Sequence, residues 1–214
     1  MIYLYAITEP AVEPPDCPGL DDAPLAVLEC AEVGGLYSQH ECASFSLVPE
    51  TLWRHDQVVE AAMSRGPVLP ARFGTTFDGS DAMAAALGCD QSKLRRQLER
   101  LRGCVELAVR ISLPARTDSS PRDGLRYMET RLARRQERAA AVEQTLVPLK
   151  TYALGSRTTR VASDGGDLTA SYLVRVCEVE CFADRVSALA RAQPELSLSC
   201  TGPWPPYSFV EDER

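Results

Sequence analysis

The sequence predicts an α+β protein of two domains, a smaller antiparallel sheet with helices over residues 1–103 and a ferredoxin-like domain over residues 104–214. The second half reads strand, helix, strand, strand, helix, strand, which is the βαββαβ order of the ferredoxin-like fold. The first half reads as three strands, a helix, an extended piece and a further helical region. A proline-rich and aromatic C-terminal arm, GPWPPYSFV at 202–210, ends the second domain.

Three strands are expected in the first domain. The opening MIYLYAI alternates its larger side chains and is rich in strand formers, so residues 1–7 are predicted to form the first strand. After a loop rich in proline and aspartate, LAVLECAEV and GGLYSQHEC are predicted to form a hairpin. We place its turn or bulge at Gly34-Gly35, because glycine is the usual residue of such turns.

Two helical regions follow the hairpin. The first begins at Pro49 and ends at Gly66, and its candidate core positions follow helical spacing at Leu52, Val59 and Met63. An extended piece, PVLPARFGTTF at 67–77, separates it from the second region. The second region, SDAMAAALGCDQSKLRRQLERLRG, is predicted to be helical with a possible break at Gly88.

The second domain is predicted from alternating strands and two helices. CVELAVRISL is the first strand, and an arginine-rich helix is expected over residues 124–147. KTYALGSRTTRVA and LTASYLVRVCEV are predicted to pair around the turn SDGGD. A helix, ECFADRVSALARAQ, and a last strand, ELSLSCTG, lead into the arm. Because proline donates no backbone hydrogen bond, the arm is not expected to extend a helix or to lie in a central strand.

Composition favours an ordinary globular protein. The chain has 214 residues, and no stretch is as long and apolar as a membrane-spanning helix. MIYLYAITEP lacks the basic region of a signal peptide, so we expect a cytoplasmic protein without membrane contact. The eight cysteines are scattered without any CxxC spacing, which favours free thiols over disulfides. A zinc site is the less favoured alternative. Its candidate ligands lack the sequence spacing usual for zinc, and they are His40, Cys42, Cys177 and Cys181.

Charge is distributed unevenly in a chain whose net charge is −7. Residues 1–60 carry eleven acidic residues and one base, Arg54, whereas residues 91–138 carry thirteen bases and six acidic residues. A basic stretch is one sign of nucleic-acid binding, but glutamates interrupt this one. The pattern favours a solvated helix face and no nucleic-acid partner. A contact between the basic stretch and the acidic one, in the same copy or a neighbour, stays open.

The sequence contains no recognisable catalytic constellation. His40 and His55 are its only histidines, and the GxSxG, HExxH and Walker motifs are absent. His55 falls in a predicted helix, as a surface or packing residue. The acids and glycines of SDGGD at 163–167 suit a phosphate or metal loop, but a hairpin turn explains them more simply. We therefore expect no enzyme activity, metal or cofactor.

Two stretches that combine proline with aromatic residues are the candidate partner-binding or interdomain sites. Their residues are Pro70, Arg72, Phe73 and Gly74 in the extended piece, and Trp204, Pro205, Pro206 and Tyr207 in the arm. Arg72 is able to hold a carboxylate through two parallel hydrogen bonds. A buried structural arginine that fixes a loop between domains is favoured over a recognition loop.

Two of the three aromatic residues of the arm, Trp204 and Tyr207, are expected to differ in role. Trp204 lies nearer the final strand and is expected to contribute more to folding. Tyr207 is expected to contact a partner, because its hydroxyl tolerates partial exposure.

Both stretches resemble motifs of a known family. LPARFGTTF at 69–77 and TGPWPPYSFV at 201–210 resemble the two most recognisable motifs of the gas vesicle protein GvpL/GvpF family. MIYLYAI is similar to the opening strand of that family, and LWRHDQVVEAAMSRGPVLPARFGT to its helix-then-loop region. The resemblance covers nearly the whole chain, which departs from the family in its many cysteines and its short loop at 114–121.

The resemblance implies a two-domain α+β accessory protein of gas vesicles, the hollow protein shells that give some bacteria and archaea buoyancy. It implies an assembly factor or minor vesicle component that binds the major shell protein and other gas vesicle accessory proteins, without catalysis or a small-molecule substrate. The alternative from the residues is a small-molecule-binding regulatory module on a ferredoxin-like scaffold, with SDGGD or Arg72 as its site.

Overall fold

A computed structural model describes residues 1–41, 45–112, 144–160 and 168–210. The chain divides into two compact units, of which one is Met1–Val105 with Trp204–Arg214 and the other is Glu106–Pro203. Two antiparallel sheets with helices form a mixed α+β fold, as the sequence predicts. Among the described residues, no helix has both the length and the apolar character needed to span a membrane.

The first sheet is built around the N-terminal strand. Its strands are β1 (Ile2–Thr8), β2 (Leu25–Cys30), β3 (Val33–Gln39), β4 (Val68–Pro70) and β5 (Thr76–Phe77). β1 pairs antiparallel with β3 on one side and with β4 and β5 on the other, and β2 extends the sheet beyond β3. The predicted first strand is confirmed. Its residues Tyr3 and Tyr5 are completely buried because β1 is central.

Helices cover both faces of this sheet. They are α1 (Pro49–Met63), α2 (Ser80–Cys89) and α3 (Gln91–Leu101). α1 packs on the face that carries Tyr3 and Tyr5. Leu4 points to the opposite face, because side chains alternate along a strand, and α2 packs there beside β3. The predicted break at Gly88 is two residues early, since the two helices meet at Asp90.

The buried stripe of α1 begins one turn later than predicted. Val59 is buried and Met63 packs against the core, as expected. Leu52 is 38% exposed, so its predicted core position is wrong. His55 is the first buried residue of the helix, and the turn before it carries no buried side chain.

The hairpin turn lies at Ala31-Glu32, and the prediction of a turn at Gly34-Gly35 is wrong. Both glycines lie inside β3 and pair with residues of β2. A Cβ atom on Gly35 would lie 3.0 Å from Leu87 Cδ1 and 3.2 Å from Met83 Cε. The absence of a side chain at this position therefore lets α2 pack closely on the sheet, which has nothing to do with turning the chain.

The second sheet has the order β7-β8-β6-β9. Its elements are β6 (Cys104–Ser112), β7 (Gly155–Arg160), β8 (Leu168–Arg175), α4 (Val179–Ala192) and β9 (Ser197–Trp204). The predicted pairing of β7 with β8 is confirmed. Phe182 and Val186 of α4 pack on apolar residues of β6 and β8. β9 is an edge strand, the position in a sheet where Pro203 is tolerated.

Two predicted features of the second half lie mostly or wholly outside the described residues. Most of the arginine-rich helix predicted over 124–147 lies outside the described residues, although residues 144–146 are helical. The SDGGD turn also lies outside them. The seven cysteines within the described residues form no disulfide with one another.

The packing of α2 against β3 predicts the effect of a side chain at Gly35. We expect Gly35→Val to lower the free energy of unfolding by roughly 1–3 kcal/mol, because the added atoms must displace Leu87 and Met83. Gly88→Ala is the matched control, since its Cβ would lie 4.0 Å from the nearest atom and alanine favours a helix. Urea unfolding of both variants measures the difference, and equal stability would contradict the close packing.

Candidate functional site

The imidazole of His55 holds a single neutral tautomer inside the first unit. Its Nε2 lies 3.2 Å from the carbonyl oxygen of Ala71, and its Nδ1 lies 3.0 Å from the hydroxyl of Tyr3. A carbonyl oxygen only accepts, so Nε2 carries the proton. The N–H of Gly74 donates to the Tyr3 hydroxyl at 3.1 Å. In the neutral ring Nδ1 only accepts, so the Tyr3 hydroxyl donates its proton to Nδ1, and both ring nitrogens are paired.

The backbone of the 71–75 loop, between β4 and β5, is attached to β1 at both ends. The N–H of Ala71 donates to the carbonyl of Tyr5 at 2.9 Å. The N–H of Leu4 donates to the carbonyl of Thr75 at 2.9 Å. With the two contacts from His55 and Tyr3, these bonds place the loop by the central strand and by α1.

The side chains of this loop have different environments. Pro70, just before it, is buried and Phe73 is partly buried, whereas Arg72 and Gly74 are exposed. Thr75 donates its N–H and its hydroxyl to the carbonyl of Arg72, at 3.1 and 2.7 Å. The expectation of a buried Arg72 side chain is wrong. The side chain is exposed, and it is the backbone carbonyl of Arg72 that closes the turn. Gly74 has a φ of 86°, a conformation that strains residues with a side chain.

The arm belongs to the first unit from Trp204 onward and is fixed to α1. The hydroxyl of Tyr207 donates to Asp56 Oδ1 at 2.8 Å. Pro205 and Pro206 are buried, and so is Phe209 at the end of a short 3₁₀ helix. The arm is therefore part of the packed structure of this unit.

The exposure of Trp204 and Tyr207 is the opposite of what the sequence suggested, which was a Trp204 that serves folding and a Tyr207 that contacts a partner. Trp204 is 45% exposed. Tyr207 is only partly exposed, and burial together with its hydrogen bond to Asp56 raises its pKa. Tyr207 thus has the surroundings of a structural residue, and Trp204 is the large side chain that the arm presents to solvent.

The two candidate stretches meet at His55. The ring of Phe73 lies 5.8 Å from the imidazole, and that of Tyr207 lies 6.4 Å from it. Tyr5 stacks on the imidazole at 5.5 Å. His55 holds the loop and its neighbour Asp56 holds the arm, so two consecutive residues of α1 position both stretches.

Sequence reasoning did not select His55 or Asp56 as site residues. Both residues lie in LWRHDQVVEAAMSRGPVLPARFGT, a segment that the resemblance selected only as a whole. Pattern alone gave no reason to place this histidine on the buried face of α1.

The second histidine closes a neighbouring polar chain. The hydroxyl of Tyr5 lies 2.8 Å from Ser38 Oγ, which lies 2.6 Å from His40 Nε2. Burial lowers the pKa of His40 and of His55 and raises that of Tyr5. The polar groups of this cluster bond to each other and to the backbone, an arrangement that fixes the chain segments around it.

Comparison with known proteins assigns the chain to a family. Residues 1–211 match the family described as "Gas vesicle synthesis protein GvpL/GvpF". The chain belongs to the GvpL/GvpF family. It is therefore a gas-vesicle-related protein.

Relatives in the GvpL/GvpF family include archaeal and bacterial proteins. The chain is 26% identical over 160 residues to gas vesicle protein F2 of Halobacterium salinarum, a match that covers 73% of this chain and 66% of that relative. It is 29% identical over 237 residues to gas vesicle protein F of a Streptomyces species, with 98% and 99% covered.

Two crystal structures share the fold. The gas vesicle protein GvpF from Anabaena sp. PCC7120 has a TM-score of 0.86 at 19% identity, with 100% of this chain and 97% of that chain covered. GvpF from Microcystis aeruginosa has a TM-score of 0.82 at 19% identity, with 98% of each chain covered. The fold described above is thus similar to that of GvpF.

The arm geometry predicts unequal effects on stability. We expect Tyr207→Phe to lower the free energy of unfolding by roughly 1 kcal/mol, because it removes a hydrogen bond to a carboxylate. We expect Trp204→Ala to change it by less than about 0.5 kcal/mol, as for other exposed positions. Melting temperatures of the two variants test this, and a larger loss for Trp204→Ala would restore the opposite order.

The two histidines predict a stability that falls as the pH is lowered. Their pKa values are lower in the folded chain than the value of about 6.5 in the unfolded chain, so the unfolded chain binds more protons below pH 7. The slope reaches at most roughly 1.4 kcal/mol per pH unit for each histidine. Unfolding between about pH 7.5 and 5.5 measures it. His55→Gln and His40→Gln should each flatten the dependence, and an unchanged slope in both would contradict the assignment.

Proposed function

We propose that this GvpL/GvpF-family protein is a non-enzymatic accessory protein of gas vesicle formation. It acts in the cytoplasm and at the vesicle, as an assembly factor or minor vesicle component. Its partners are the major shell protein and other gas vesicle accessory proteins. The observation that carries the proposal is the family match over residues 1–211, and the likeness of the fold to GvpF supports it.

The exposed side chain of Trp204 is consistent with such a partner. A shell subunit that lines a gas space exposes apolar surface before it assembles, and such surface aggregates in water. A protein that covers it needs large apolar side chains held in place. Pro205, Pro206 and the Tyr207–Asp56 hydrogen bond hold Trp204 by its C-terminal side. Tryptophan is also among the residues that contribute most to binding energy at interfaces.

We propose different roles for the eight candidate residues. Arg72 and Trp204 are exposed and contact the partner, while Gly74 shapes the exposed turn beside Arg72. The remaining candidates hold these two in position, namely Pro70, Phe73, Pro205, Pro206 and Tyr207.

For the architecture, we propose domains that follow the sequence over residues 1–103 and 104–214, the second of them ferredoxin-like, with its arm from Trp204 onward packed in the first unit. The order β7-β8-β6-β9 supports this, because the first and third strands of the second half, β6 and β8, are adjacent in the centre. α4 connects β8 to β9, as the second helix of a βαββαβ unit does. The first helix of that unit would lie in the sequence between β6 and β7.

Deletion of the gene in the organism that encodes it tests the proposed function. We expect cells without intact gas vesicles, seen as lost buoyancy and as absent or misshapen vesicles in electron micrographs. The wild-type gene supplied in trans should restore them. Vesicles of unchanged number and shape in the deletion strain would contradict the proposal.

The exposed position of Trp204 predicts a binding defect without a folding defect. We expect Trp204→Ala to weaken capture of the purified major shell protein by at least tenfold, because loss of a central aromatic contact costs about 2 kcal/mol or more. Leu154→Ala, at an apolar side chain of similar exposure in the second unit, is the control. Capture by immobilised protein and melting temperature are measured together. Unchanged capture by a stable Trp204→Ala protein would remove this residue from the interface.

A further inference from the structure

Exposed apolar side chains are concentrated at the N-terminal end of α1. Nine large apolar side chains are exposed among the described residues, and four of them lie within residues 47–53. We call these four the α1 apolar tip, and they are Leu47, Val48, Leu52 and Trp53. Leu47 is 73% exposed and Trp53 is 62% exposed. Single exposed apolar residues are common on protein surfaces, but a cluster of this kind marks an interaction site.

The tip residues do not contribute to the buried face of α1. The buried stripe of α1 starts at His55 and continues through Val58, Val59 and Ala62, and none of the four tip residues belongs to it. The helix end is nevertheless well fixed. Thr51 Oγ1 accepts from the N–H of Val48 at 3.4 Å and donates to the carbonyl of Ser46 at 2.6 Å. A fixed surface loses little conformational entropy on binding, which favours affinity.

The helix that carries the tip is acidic. Glu50, Asp56 and Glu60 lie on the same helix, and its one base, Arg54, is paired with Asp22 at 3.5 Å. Complementary charge at the edge of an apolar contact speeds association and excludes partners of like charge. A partner with lysine or arginine beside its apolar residues therefore fits this surface. A second copy of this chain would bring the same acidic groups against themselves.

We propose that the α1 apolar tip is a docking surface for an apolar segment of a partner protein that is flanked by lysine or arginine. This rests on the proposed function in one respect, that the partner is another gas vesicle protein. The surface is distinct from Trp204 of the arm, and it adds the chemistry by which the partner is recognised.

The two tryptophans of the chain allow a direct test. In Trp204→Phe, Trp53 is the sole tryptophan and reports on the tip. The probes are two synthetic amphipathic peptides with the same leucine face, one flanked by lysine and the other by glutamate. We expect a blue shift of Trp53 emission and at least tenfold tighter binding of the lysine peptide, with the difference shrinking at high salt. No spectral change, or equal binding of both peptides, would overturn the proposal.

Variants separate the tip from general attraction to an acidic protein. With labelled lysine peptide, we expect Trp53→Ser to weaken binding at least tenfold while the melting temperature stays unchanged. Val176→Ser is the matched control, because Val176 is 59% exposed and lies in the second unit. Glu50→Lys provides a second variant that leaves the apolar surface intact, and it should weaken the lysine peptide alone. Equal binding by Trp53→Ser and Val176→Ser would overturn the proposal.

Two further measurements test the proposal, namely self-association in solution and vesicle formation in the native host. Concentration-dependent dimerisation that Trp53→Ser abolishes would identify a second copy as the occupant and overturn the proposed partner. In the native host, normal vesicles with Trp53→Ser, where the deletion abolishes them, would overturn the docking surface and leave the proposed function standing. A harmless deletion would overturn the proposed function, while lysine-peptide binding at the tip would still support the surface.

Discussion

The buried imidazole of His55 is the constraint on which the first unit depends. A polar ring away from water is costly unless both nitrogens are hydrogen-bonded. Here the partners are the Tyr3 hydroxyl from β1 and the Ala71 carbonyl from the 71–75 loop. The ring is satisfied only when strand, helix and loop are all in place, which couples three parts of the chain that are distant in sequence. The aromatic rings of Tyr5 and Phe73 then pack around it.

In this arrangement, the residues that fix the loop and the arm differ from the residues whose side chains are exposed to solvent. His55 and Asp56 follow one another on α1, and they fix the loop and the arm respectively. With the backbone of both segments fixed, the side chains of Arg72 and Trp204 remain exposed. The proposed partner contact rests on this combination of fixed backbone and exposed side chains.

Local patterns predicted the strands and helices, and long-range contacts explain the errors. β1 and β8 have alternating side chains that are visible in the sequence. Gly34-Gly35 resembles a turn, yet Gly35 lies against Met83 and Leu87, about fifty residues away, and a Cβ on Gly34 would lie 2.9 Å from Thr8 Oγ1. The same holds for the site. That Arg72 would be exposed, or that His55 would be buried, depends on which face of α1 meets β1, and no spacing rule contains that information.

The first unit is discontinuous, since Trp204 and the residues after it return to a body formed by residues 1–105. Tyr207 is therefore synthesised 151 residues after Asp56, its hydrogen-bond partner on α1. On the ribosome, the N-terminal segment emerges early but stays without its arm until the second unit has been translated. An incompletely translated chain lacks the Tyr207–Asp56 hydrogen bond and the aromatic residues beside it. The contact that fixes the arm to α1 can thus form only after Tyr207 has been translated.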